Sequence, residues 1–260
     1  MLSKLSRQKV TIEEFKIIDP ITEEKIAVYF SLFYIFLAVI IGYLITLFPQ
    51  TIAGATDFTL SYVYMIVFKI FFLLILPLIW FYRSDYSIRD ISPKWTSSFR
   101  SYLVLFISLI IGIYVNLINL ERLDLLKSAM SNFSTQELIL RIFLGILFAL
   151  IGAGIPEELV FRGFVQTRIE KTRGRIFAIF FTTLFFTLWH LPTRYFNASG
   201  VEGTAGDLTS VIIGTGIPVF IVGLIIAIFW DKFRNLPALI LFHWGVDIIP
   251  FIEAFLQIAR

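Results

Sequence analysis

Gly152-Ala-Gly-Ile-Pro-Glu157-Glu158-Leu-Val-Phe-Arg162-Gly163 sets two adjacent carboxylates and a guanidinium against a long apolar run. A charged side chain near a bilayer centre costs about 2.5–3.5 kcal/mol on insertion scales. Charges this close together at that depth need partners and a purpose. In a helix, Glu158 and Arg162 are four apart, share a face and pair. Glu157 points about 100° away and must find its partners on another helix. Gly152, Gly154 and Pro156 predict a kink or a close backbone approach, which neighbouring helices tolerate.

The surroundings of this stretch set the fold class. Of 260 residues, 58% are hydrophobic, and the mean hydropathy is +0.85. Soluble domains run at about 45–50% apolar. The chain reads as all-α, a polytopic transmembrane helical bundle of seven to eight membrane helices with its site in a cavity between helices. Seven apolar runs near the required length fall at 28–48, 60–82, 101–120, 139–166, 176–196, 211–230 and 236–256. The fourth is long for one straight span, and a break at Gly154–Pro156 would add an eighth element. The organisation expected is a cytoplasmic N-terminal segment (1–27), N-terminal transmembrane helices (28–134) and a core that carries the charged stretch (135–256).

Charge placement gives an orientation. The segments 1–27, 83–100, 167–175 and 231–235 hold fifteen Lys and Arg residues, against three in 49–59, 121–138, 197–210 and 257–260. By the positive-inside rule the N-terminus is cytoplasmic. No signal peptide is read at the start, and a bacterial plasma membrane is the expected location. There is no cysteine, which removes thiol nucleophiles and Cys-based metal sites. No nucleic-acid partner is expected, and the oligomeric state is left open.

Inside the spans, Lys69 reads as one half of a buried ion pair, with substrate contact as the sharper alternative. Arg141 and Arg194 lie near span ends and can snorkel. Asn116 and Asn119 read as interhelical hydrogen-bonding groups. Segment 197–210 reads as a flexible loop.

The only two histidines, His190 and His243, both lie in apolar runs. His190 closes Phe186-Thr-Leu-Trp-His190 before Leu191-Pro192. His243 opens His243-Trp-Gly-Val-Asp247, whose end residues share a helical face. Glu157, His190, His243 and Asp247 can therefore meet at mid-bilayer. Two imidazoles and two carboxylates around a water-sized space suit hydrolysis. A partly desolvated carboxylate is a usable general base for water, and an imidazole can relay the proton or stabilise an oxyanion. The other route is a divalent metal, zinc by type, on Glu157, His190 and His243, because two histidines and a carboxylate make a catalytic zinc pattern. No serine sits in a nucleophile setting such as Gly-x-Ser-x-Gly.

Glu157-Glu158-Leu-Val-Phe-Arg162-Gly163, then Phe186-x-x-x-His190, then His243-x-x-x-Asp247, resemble in order and spacing the three motifs of the CPBP family. That family includes the type II CAAX prenyl endopeptidases and the bacteriocin-immunity (abortive-infection) proteins. The resemblance covers roughly 135–250. It implies an intramembrane endopeptidase acting on a membrane-associated protein or peptide, with Glu157 activating water and His190 assisting. It implies that His243 and Asp247 stabilise the oxyanion or complete the site, and that Glu158 and Arg162 are substrate-orienting, binding the C-terminal side of the substrate, or orient Glu157. The family has been described both as metal-dependent and as a glutamate protease. Asp247 departs from the Asn of the eukaryotic enzymes. An ionised Asp would destabilise an oxyanion, so Asp247 must be protonated, pair with a histidine or ligate metal. The alternative function is a non-proteolytic immunity or scaffold protein that binds a peptide in the same cavity. A transporter would lack its usual repeat symmetry.

Overall fold

The computed structural model describes residues 19–47, 65–83, 99–117, 120–198 and 202–256, and these are helical with no strand among them. Eight helices follow in order: α1 (Pro20–Leu47), α2 (65–83), α3 (Phe99–Leu117), α4 (Leu120–Met130), α5 (Thr135–Arg173), α6 (Arg175–Asn197), α7 (Leu208–Phe233) and α8 (Leu236–Phe255). Among the described residues, α1, α5, α6, α7 and α8 are long and apolar enough to cross a membrane, and α3 has a shorter apolar stretch, Leu103–Tyr114.

Local chemistry starts each helix where the sequence allows. Asp19 accepts from the Ile21 backbone and the Thr22 hydroxyl ahead of Pro20, a first-turn proline whose missing N–H costs nothing there. α1 therefore begins inside the 1–27 segment, ahead of the apolar run. Ser134 and Glu137 form a reciprocal capping box at α5. Asp207 caps α7 and Asn235 caps α8. Gly174, with φ at +81°, makes the whole turn between α5 and α6. Two expectations change. Segment 121–138, taken only as a connection between spans, contains most of α4, whose Leu126 is buried with Ile252 and Leu256 of the α8 end. Segment 197–210, read as flexible, is pinned over its described part: Gly206 N–H donates to Tyr195 O at 2.7 Å and Thr204 N–H to Ser210 Oγ at 2.9 Å.

α8 is central, packed against α3 and α5, while α6 lies between α1 and α7. Backbones meet where side chains are smallest, as in other membrane bundles. Gly112 of α3 faces Gly245 of α8, where an added Cβ at Gly245 would fall 2.6 Å from Leu109 O. Gly154 of α5 lies against Ile240 and Trp244 of α8. The interior is aromatic: Phe68 stacks on Trp189 at 4.8 Å, and Phe164 meets Phe30, Trp80 and Phe81 edge-on. The outward faces carry exposed Phe33 and Phe36 on α1, Phe106 and Ile110 on α3, and Ile213, Ile217 and Ile221 on α7. Apolar surface that continuous fits lipid, and the protein is an integral membrane protein.

Ion pairs gather at one end. Arg168 reaches Glu23 at 3.1 Å, Arg173 reaches Glu24 at 2.8 Å, and Arg175 reaches Asp231 at 2.8 Å. Arg234, at left-handed φ of 48°, grips both oxygens of Glu170 at 2.5 and 2.6 Å. Segments 167–175 and 231–235 thus share an end with the start of α1, as alternating spans require.

Candidate active site

α5 does not break at Gly154–Pro156. It runs on as one helix from Thr135 to Arg173 and instead widens into π turns at Leu150–Gly154 and Glu158–Gln166. An extra residue per turn re-aims side chains and recurs at functional sites. Where the second π stretch returns to α geometry, Thr167 donates to Arg162 O at 3.0 Å and Arg168 to Gly163 O at 3.2 Å. Side chains thus supply donors to carbonyls at this transition. Trp244 fastens α8 alongside by donating to Ile146 O at 2.8 Å.

The two carboxylates of this helix diverge as their spacing requires. Glu158 Oε1 accepts from Arg162 Nη1 at 3.2 Å, both side chains being fully buried. It also accepts from His243 Nδ1 at 2.6 Å. That second bond was not foreseen: Glu158 is a bridge between α5 and α8 as well as a local partner. Arg162 further donates to Gly223 O on α7 at 3.2 Å and stacks over Phe186 at 4.3 Å.

Glu157 turns the other way. Its Oε1 lies 2.5 Å from Lys69 Nζ on α2. Its Oε2 has no hydrogen-bond partner and faces two imidazoles, 3.7 Å from Nε2 of His190 and 3.7 Å from Nε2 of His243. The far nitrogens fix both rings. His190 Nδ1–H donates to Phe186 O at 2.7 Å, since a carbonyl can only accept. That leaves Nε2 of a neutral His190 with its lone pair toward Glu157. His243 has Glu158 at Nδ1 and Asp247 Oδ2 at 3.5 Å from Nε2, so protons on both nitrogens serve its carboxylate neighbours. Its ring also meets Phe186 edge-on at 6.0 Å.

All six motif residues singled out from the sequence, Glu157, Glu158, Arg162, His190, His243 and Asp247, come together. The side chains of His190 and Asp247 stay 20% and 21% accessible, against 1% for Glu157 and 6% for His243, so the approach is from their side. Lys69 is an ion-pair partner, as its burial suggested. What spacing alone could not reveal was that its partner is Glu157; three carboxylates against one local arginine was the available signal. Arg141 donates to Phe255 O at 2.8 Å, and Arg194 pairs with Glu202 at 3.3 Å. The side chains of Asn116 and Asn119 lie outside the described residues.

Among the described residues no three His, Asp or Glu side chains assemble at a spacing to hold a metal ion, and the Lys69 ammonium already occupies one oxygen of Glu157.

Residues 139–249 match the family model described as Type II CAAX prenyl endopeptidase Rce1-like. Neither curated proteins nor solved structures give a match.

Proposed function

We propose that this membrane protein hydrolyses a peptide bond in a membrane-associated protein or peptide, with Glu157 as the base; the match of residues 139–249 to the Rce1-like type II CAAX prenyl endopeptidase model supports the reading. One observation carries the reading: an oxygen of a buried carboxylate, without a hydrogen-bond partner, aimed between two imidazole nitrogens. Spans of 3.7 Å are too long for direct hydrogen bonds but admit a water oxygen at bonding distance from both ends.

In the proposed reaction a water donates one proton to Glu157 Oε2 as its oxygen attacks the scissile carbonyl. His190 Nε2, holding a lone pair, accepts from the same water and orients it. The carbonyl oxygen becomes an oxyanion that His243 Nε2–H stabilises. Collapse of this intermediate breaks the C–N bond, and the proton taken by Glu157 passes to the leaving amine. Glu158 supports the sequence by holding His243 through Nδ1, and Arg162 balances Glu158. Of the three fates open to Asp247, pairing with His243 has the geometric support. Glu158 and Arg162 are buried behind His243, which suits orienting the imidazole more than touching substrate. No step needs a metal ion. The charge bias of the connecting segments supports a cytoplasmic N-terminus, in a bacterial plasma membrane by the same proposal.

The test is cleavage of membrane peptides followed by mass spectrometry. Glu157→Gln is expected to lower kcat by about 10²–10⁴-fold in a protein that still folds, and a divalent-metal chelator to leave wild-type cleavage within about twofold. Wild-type turnover in the Gln variant would remove Glu157 from the reaction.

A further inference from the structure

The matched segment supplies every motif residue, yet one charged group at the centre comes from outside it. Lys69 belongs to α2, far from residues 139–249 in sequence. Its side chain is 11% accessible and its ammonium lies 2.5 Å from Glu157 Oε1. Trp189 and Phe251 flank the ammonium, with ring centroids 6.0 and 5.9 Å away. Trp189 is itself stacked on Phe68, the neighbour of Lys69. A long flexible amine held on three sides by rings and a carboxylate has few positions open to it.

The consequence lies in the carboxylate. A carboxylate has two equivalent oxygens and rotates about its last bond. An ammonium fixed on Oε1 stops that rotation and leaves Oε2 as the oxygen that meets both imidazoles. It also completes the charge pairing around the site. Arg162 balances Glu158 and His243 faces Asp247, so Lys69 is the partner left for Glu157. We propose that Lys69 is a positioning residue of the hydrolytic site, which selects Oε2 of Glu157 as the working oxygen by binding Oε1. This rests on the peptidase reading and adds to it a requirement for the N-terminal half of the chain.

Lys69→Met keeps the length of the side chain and removes its charge. A misplacement of about 1 Å in a reacting group can cost roughly 100-fold in rate, and a loss of that order in kcat is expected, with KM within about twofold. Lys69→Arg should recover part of the rate. Lys69→Ala should be inactive and regain turnover with added propylammonium, which a purely structural lysine would not allow. Activity near wild type in Lys69→Met overturns the proposal. So does a loss carried by KM alone, which would make Lys69 a substrate contact. If Lys69→Met does not fold, Lys69→Arg and Lys69→Gln decide: equal rates overturn the proposal, and an active Arg with an inactive Gln supports it. If wild type cleaves nothing, the peptidase reading has failed. The pair is then judged by unfolding temperatures of Lys69→Met, Glu157→Gln and the double variant. Non-additive changes support the contact, and additive ones overturn it.

Discussion

His190 and His243 present the same atom, Nε2, to the same oxygen, yet their other nitrogens make them different reagents. A backbone carbonyl takes the Nδ1 proton of His190 and so turns the lone pair of the neutral tautomer to Nε2, while carboxylates face His243 from both ends. One is suited to accept a proton and the other to donate a hydrogen bond. Asp247 belongs to the donating side. An amide in its place can accept from His243 and donate to an oxyanion, so Asp247→Asn is expected to keep kcat/KM within about tenfold. Asp247→Ala, which does neither, should lose roughly 100-fold or more. Steady-state cleavage of one peptide by the two variants checks this. At this scale the sequence was informative, because charge inside an apolar run is costly enough to mark its own importance. The i,i+4 rule found Glu158 with Arg162 and His243 with Asp247. It could not find Glu158 with His243 or Glu157 with Lys69, since those contacts depend on how helices are rotated against one another.

Helix α5 shows what a hydropathy reading misses. Its excess length was visible, and Gly154 and Pro156 marked the place, but a break and a π widening leave similar traces in the residues. Glycine 154 serves close approach to α8, not interruption. The same economy operates at Gly245, between the reactive His243 and Asp247 but turned toward α3 and Gly112. A methyl group there meets backbone, which cannot swing aside. Gly245→Ala is expected to destabilise the protein by about 1–3 kcal/mol and to lower activity by moving α8. Thermal unfolding in detergent beside wild type measures the first effect. Helix α4 was overlooked because its residues are mixed in polarity and its apolar side rests on the end of α8, a tertiary fact. The helix starts carry a local signal that hydropathy passes over: Asp19-Pro20, Ser134 with Glu137, and Asn235 each name a cap, and α1 and α5 begin ahead of their apolar runs.

For the whole molecule, the seven apolar runs correspond to α1, α2, α3, α5, α6, α7 and α8, and the shared end of the arginine-rich connections agrees with their alternation. What length and composition could not supply was the order of neighbours, which brings α2 against the site. That neighbour has a thermodynamic side. Two opposite charges withdrawn from solvent and from each other's absence suffer unequally: losing one is severe, whereas exchanging both for well-packed apolar groups is often neutral or gains about 1–4 kcal/mol. On the proposed mechanism, the Lys69–Glu157 contact is therefore a place where the chain carries activity at the expense of robustness. Replacing both by methionine should give an inert protein that survives heating better than its parent, read as a higher melting temperature in detergent. Such a dead but hardy stand-in would hold an uncut substrate long enough to be seen.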